Sequence, residues 1–593
     1  MIGPMPGDSR RLVRTRSPVE LGGNKSDGEF LRFEPSPSTI RCIEGINLTS
    51  SSPVEQPSPK GIEFVPAETS SPPAVQPKTA ETFDRHYANR IMLLLAGVVL
   101  VVLYIEGMLT PSLPTIQSDF GVDAAQVTLI ISAYAAAGVA LSPVIGKLGD
   151  IHGKRKVMIA VMCTYAAAVT VTGFSPTFAF MVAARTVQGV GLTIMPLGMS
   201  LMREEFPREM VPRAQGILSA MFGIGFAVSL PLGSLVSQDF GWRWTYHSAV
   251  PFVLVMAILL FLLVKESPYR RPNTRVDYLG ALFLGLGLAG IVAALSQGEY
   301  WGWTSPLTLG FATFGALMFV PFVLVERGLT VRKREPIVDV DLLRERNVTV
   351  TNVVLTVAGL GMYMALFTLI YQFEYPLASG GYNGACSSLV SCNFGILAAG
   401  IDILPLAAGM TVVALAASVL VSRIGVKPLA ITGGFVTAAG FALEAFATSL
   451  NAALIVEVVI GAGIGLLNAS IINLLVLTVD PKDMGQATAM NNVFRNVGGS
   501  VGAPIAGSLL ATYLLTSGPF AGLFPAHLAF QYAYIFAATI TVVGTLTVIA
   551  AEEVLGPRRH AKFAHLPTLP RRSGRGAPSA APSPPTPAPP LPE

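Results

Sequence analysis

From residue 91 to residue 551 the chain alternates long apolar runs with short polar breaks. The runs fall at about 91–113, 124–145, 157–174, 178–202, 213–236, 247–264, 278–297, 306–325, 348–373, 394–421, 428–448, 453–479, 487–514 and 529–551. Each is near or above the ~20 residues a helix needs to cross the apolar core of a bilayer. The pattern predicts fourteen membrane-spanning helices, hence an all-α, polytopic membrane fold. The ends of the chain read differently. Residues 1–88 mix Ser, Pro, Gly and charge without an apolar period, and are expected to form a disordered cytoplasmic N-terminal tail. Residues 552–593, basic and then Pro-rich, are expected to be a disordered cytoplasmic tail. No cleavable signal peptide is expected, and the first apolar run should act as its own insertion signal.

Charge in the breaks gives the orientation. The breaks at 146–156, 203–213, 265–277, 326–347, 422–427 and 480–486 carry 20 Lys/Arg, and the intervening ones carry only Arg243. Lys/Arg excess marks cytoplasmic loops, so both termini are expected on the cytoplasmic side of a cell membrane. The asymmetry also supports an even number of crossings, because one missed helix would invert every later loop. Of 593 residues, 52% are hydrophobic and 13% charged, against ~25% charged in soluble domains. The net charge of +4 lies in loops and tails and speaks for membrane orientation, not for nucleic acid. Cys386 and Cys392 share the long outer loop 374–393; a disulfide there and two free thiols are both open.

An internal repeat divides the chain. At a constant offset of 274, Gly189, Gly191, Leu192, Leu201, Pro207, Met210, Gly225, Gly233, Ser234 and Leu235 meet Gly463, Gly465, Leu466, Leu475, Pro481, Met484, Gly499, Gly507, Ser508 and Leu509. The fourth and fifth runs are therefore duplicated as the twelfth and thirteenth. The expected plan is 6+2+6: a six-helix bundle over 89–265, a two-helix linker insertion over 266–346, and a second six-helix bundle over 347–551. Two pseudo-symmetric halves suit alternating access to a central site.

Five motifs carry the chemistry. Gly146-Lys-Leu-Gly-Asp150-Ile-His-Gly153-Lys154-Arg155-Lys156 sits between the second and third runs, with glycines suited to a tight turn. Arg185-Thr-Val-Gln188-Gly189-Val-Gly191 lies inside the fourth run, where an Arg costs ~3 kcal/mol to insert and needs an interior partner. Gly225, Pro231 and Gly233 in the fifth run suit close helix packing and a bend. Gly241-Trp-Arg-Trp-Thr-Tyr opens the sixth run with Trp242 and Trp244 as expected interfacial anchors, and Asn491-Asn-Val-Phe-Arg495-Asn-Val-Gly498-Gly499 lies in the thirteenth. Over about 90–551 these resemble the major facilitator superfamily of secondary transporters, and in their order the fourteen-helix drug:proton antiporter branch (EmrB/QacA type). The resemblance implies a major facilitator fold. It implies gating by Gly146, Asp150, Gly153, Lys154 and Arg155, proton transfer linked to Arg185, and helix packing at Gly225, Pro231, Gly233, Arg495 and Gly499, with Arg495 also a counter-charge. Ile151 stands where the pattern has a basic residue, and Ser229-Leu230 where the antiporter form has Gly-Pro.

Acids inside apolar runs are functional candidates by default. Glu106 lies well inside the first run; Asp402, Glu444 and Glu457 fall in the tenth, eleventh and twelfth. Ionising a carboxyl in an apolar medium is costly, which lets it load and release a proton. Attraction of cationic substrates and structural pairing, for Glu106 with Arg185, are the alternatives. No Ser/His/Asp set, phosphate-cradling loop or metal-ligand spacing appears, so no enzyme, metal or cofactor is expected and the energy source is an ion gradient. The expected function is proton-coupled export of amphipathic organic compounds by a monomer whose partners are substrate, protons and lipid. A proton symporter importing a small metabolite and a non-transporting membrane sensor or scaffold are the alternatives.

Overall fold

The computed structural model describes residues 85–206, 210–266, 276–332, 334, 336–339, 341–383, 395–479, 484–517 and 521–552. The expected tails therefore lie outside the described residues except for 85–88 and 552, and so do Cys386 and Cys392. Residues 85–88 already form the first turn of a helix, so the helical part begins earlier than the boundary at 88.

The described chain is helical, with two isolated β-bridges, Pro376–Asn383 and Leu514–Pro525. α1 (Arg85–Gly107) passes through a 3-10 turn into α2 (Leu113–Phe120); α3 (Ala124–Val127) leads into α4 (Leu129–His152), and α5 (Lys154–Gly173) returns. α6 (Phe178–Gln188) and α7 (Ile194–Glu205) are joined by a 3-10 turn at Gly189–Thr193, and α8 (Val211–Phe240) and α9 (Trp242–Leu263) follow. α10 (Tyr278–Trp301) and α11 (Pro306–Val331) form the insertion. α12 (Arg346–Glu374), α13 (Ile396–Asp402), α14 (Leu404–Ile424), α15 (Val426–Glu444), α16 (Leu450–Thr478), α17 (Met484–Thr512) and α18 (His527–Ile549) complete the chain. Among the described residues, 12 helical segments are long and apolar enough to cross a membrane. α8 and α17 are long enough but fall outside that set.

The offset of 274 carries α6–α7 onto α16 and α8 onto α17 to within two residues at each end. Small residues let the paired helices close in. A Cβ on Gly225 would lie 2.7 Å from Leu103 Cβ, where α8 crosses α1, and a Cβ on Gly233 would strike the Met108 backbone. In the other half Gly498 and Gly502 of α17 press on the backbone of α12 at Thr356 and Leu360. Pro231 lies inside α8, which continues past it to Phe240.

Burial is inverted relative to a protein in water. Leu93, Phe261, Leu324 and Ile455 are exposed on the outside of the bundle, while Arg185, Lys154, Glu444 and Glu457 are buried within it. An outward apolar belt around a hydrophobic core that also buries these charges fits a hydrocarbon solvent, since the backbone groups are satisfied inside each helix.

The insertion helix α10 touches both halves. Gln126 donates to Gln297 at 3.2 Å, and Thr128 and Ser296 hydroxyls lie 3.0 Å apart. On the other side Thr512 of α17 donates to Glu299 at 2.9 Å.

Candidate functional site

The centre of the site is Glu106, in the last turn of α1. It is 8% exposed. Oε1 accepts from the Tyr363 hydroxyl of α12 at 2.8 Å, so the two halves meet at this carboxyl. Oε2 is buried and has no hydrogen-bond partner among the described residues. Two cavities adjoin Glu106 and Tyr363. One, of about 50 Å³, reaches past Val139 and Ser142 of α4 to Asn492 and Arg495 of α17. The other, of about 20 Å³, lies by Ile131 and Tyr134 near the start of α4 and includes Arg185. A water needs ~10–15 Å³, so these spaces admit a few waters at most. Glu106 thus separates a cavity on the side of the α4–α5 turn from a smaller one on the opposite side.

Two cations flank the carboxyl without replacing Tyr363. Arg185 is buried in α6; its Nε donates to the Ile130 carbonyl at 3.1 Å and its guanidinium lies 4.5 Å from the Tyr134 ring centre. Its Nη1 is buried without a hydrogen-bond partner among the described residues. Arg495 donates to Asn492 Oδ1 at 3.3 Å and lines the larger cavity, so it belongs to the site wall as well as to helix packing. Both charges act on Glu106 through space. Gly499, one turn beyond Arg495, has the Tyr363 ring against it: a Cβ there would sit 2.9 Å from the ring. Tyr363 was not legible in the sequence, because a tyrosine in an apolar run reads as packing.

The gating motif is a one-residue turn. α4 runs on to His152 and only Gly153, at φ +104°, breaks it before α5 starts. The expectation that Gly146 also shapes the turn is corrected: it lies inside α4, because helical hydrogen bonds continue through the whole glycine-containing segment. Lys154 is buried and its Nζ bonds Asp150 Oδ1 at 2.7 Å and Glu204 Oε1 of α7 at 2.5 Å. The Arg155 backbone N–H donates to Glu266 Oε1 at 3.1 Å, and its guanidinium donates to the Phe261 carbonyl of α9 at 2.6 Å. Glu204 and Glu266, the acids that complete this knot, give no sequence signal beyond lying at the ends of apolar runs.

The other acids gather away from Glu106. Glu444 ends α15, Glu457 lies two turns into α16, and both are buried; Asp402 ends α13 and is half-buried. Tyr382 lies within reach of Glu444, its hydroxyl 3.4 Å from Oε1. The aromatic motif also differs from expectation. Trp242 is buried and its indole N–H donates at 2.8 Å to Asp119, which is itself exposed; Trp244 is exposed.

The profile of the Major Facilitator Superfamily matches residues 95–502. The multidrug transporter protein MdtP of Bacillus subtilis is 25% identical over 426 residues, covering 70% of this chain and 75% of its own. The cephamycin export protein CmcT of Amycolatopsis lactamdurans is 26% identical over 492 residues, covering 81% and 94%. A solved structure of a bacterial homolog of the human lysosomal transporter Spinster, inward-facing and unoccupied, aligns with a TM-score of 0.55 at 14% identity, over 79% of this chain and 96% of that one. Similarity at that identity concerns the fold alone.

Proposed function

The chain belongs to the major facilitator superfamily, and from that membership we propose that it exports amphipathic organic compounds, cationic or neutral, in exchange for protons. It is a multi-pass membrane transporter and not an enzyme. Relatives named for multidrug transport and for cephamycin export support the outward direction.

The observation that carries the coupling is the state of Glu106. A buried carboxyl with one oxygen bonded to Tyr363 and the other unpartnered, between two cavities, is placed to exchange a proton with either side. In this reading α8 and α17 also cross the bilayer, which makes fourteen spans in a 6+2+6 plan of the EmrB/QacA type, with both termini in the cytoplasm of a cell and the chain acting as a monomer. Proton and substrate compete for the space beside Glu106. Ionised Glu106 attracts a cationic substrate and protonated Glu106 releases it. Breaking the Lys154 bonds to Asp150 and Glu204 would open the face bearing the α4–α5 turn.

The test uses ethidium in inverted vesicles. Acidifying the lumen should drive accumulation by the native chain and not by Glu106→Gln. Accumulation by the variant at the native rate would remove Glu106 from the coupling, and uptake only with an alkaline lumen would make the chain an importer.

A further inference from the structure

We propose that Glu444 and Glu457 form a second proton-carrying site, in the second half of the chain and apart from Glu106. Its place in the transport cycle rests on the proton-coupled reading above, while the site itself stands on its own geometry.

The pair is buried where α15 and α16 meet: Glu444 is 1% exposed and Glu457 0%. Glu444 Oε2 and both Glu457 carboxylate oxygens have no hydrogen-bond partner among the described residues. The elements packed around them supply polar but uncharged groups. Tyr382 lies in the segment after α12; Gln372 Nε2 of α12 donates to the Tyr382 hydroxyl at 3.1 Å; and Tyr534 of α18 donates to Gln372 Oε1 at 2.7 Å. From α14 the Leu406 backbone N–H, in the first turn, faces Glu457. The acid nearest them is Asp402, at the break between α13 and α14, and like them it is negative when ionised. The Lys and Arg of the known site stand elsewhere: Arg185 and Arg495 act on Glu106.

Two carboxylates in an apolar interior cost several kcal/mol each unless a positive charge joins them. The protein supplies none among these partners, so the cation comes from outside. A divalent metal wants six or more oxygens or a closed ligand set, and no group of three or more His, Cys, Asp or Glu among the described residues could hold one. A proton needs one oxygen. Hydronium gives its proton to a Glu444 or Glu457 oxygen, one O–H bond forms, one breaks, and water is left; release is the reverse. Tyr382 supplies the matching response. Its hydroxyl has two acceptors, Glu444 Oε1 at 3.4 Å and the Ala447 carbonyl at 3.2 Å, and one hydrogen to give. It gives that hydrogen to Glu444 when the carboxyl is ionised; when the carboxyl is protonated it gives it to Ala447 and accepts the acid's O–H on its own oxygen, so Tyr382→Phe takes a partner from the acid as well.

The test is infrared difference spectroscopy on the purified full chain, with every sample carrying Glu106→Gln, Glu326→Gln and Glu374→Gln so that the first site and the other buried carboxyls are silent and no transport is required. Lowering the pH in potassium buffer should produce the C=O band of a water-excluded carboxylic acid. The band should be lost when Glu444→Gln and Glu457→Gln are added together. Tyr382→Phe leaves both carboxyls in place and should shift the band to higher frequency. A band that survives the double change, no shift with Tyr382→Phe, or a band abolished by exchanging potassium for sodium at constant pH would overturn the site. Failure of ethidium transport would leave this result standing, and failure here would leave Glu106 standing.

Discussion

Glu106 keeps one oxygen engaged and the other open, and the engaged one depends on a residue from the opposite half. Removing the Tyr363 hydroxyl takes away its donor. A hydrogen bond to a charged group contributes roughly 1.5–3 kcal/mol, so Tyr363→Phe is expected to slow proton-driven ethidium export about ten-fold or more while the protein still folds. Gly499→Ala, whose Cβ would press on the Tyr363 ring at 2.9 Å, should reproduce that defect from another helix. Export at the native rate in both variants would separate Tyr363 from the chemistry. At this scale the sequence announces charges better than their partners. Glu106 and Arg185 stand out because charge is rare in an apolar run. Tyr363, Gln372 and Tyr534 do not, because nothing in an isolated helix says which face of it meets a carboxyl.

At the scale of elements, Lys154 ties the α4–α5 turn to the end of α7. Its ammonium is buried and serves both Asp150 and Glu204, whose side chains are 29% and 25% exposed. Lys154→Met removes the cation that Asp150 and Glu204 share. A loss of about 1–3 kcal/mol is expected, read as a lower melting temperature in detergent, and Glu204→Gln added to it should restore part of the loss. An unchanged melting temperature would mean that this knot does not hold the helices together. The turn motif was legible in the sequence as a basic, glycine-containing break. Its length was not: Gly146 sits at a distance where glycine could turn the chain, but the residues around it continue the helix to His152, and Gly153 suffices. Trp242 shows the same limit, since Asp119 reaches it from a different element.

For the whole molecule, the alternation of apolar runs made the helices visible in advance, because each must satisfy its own backbone in lipid. The repeat at offset 274 made the relation between halves visible, because glycines recur along the duplicated helices; Gly225 and Gly499 make the corresponding approach, to α1 and to α12, while the other duplicated glycines meet different neighbours in the two halves. The weaker point is the crossing of α17, whose small and polar residues serve packing and dilute the apolar signal. Cysteine labelling addresses it. In a chain stripped of its own cysteines, Leu477→Cys and Leu523→Cys, exposed positions on either side of α17, should react from opposite sides of the membrane. Labelling of both from one side would remove the fourteen-span plan.

The insertion helix α10 bears on how far such a protein can open. It is bonded to α3 and α4 through Gln297 and Ser296, and to α17 through Glu299. The two bundles therefore share a common strut on that flank. A swing that parts α4 from α17 there must snap one set of these bonds and leave α10 riding with a single bundle. Which set is weaker then decides whether the strut travels with the first bundle or the second, and so on which flank the lipid has to follow.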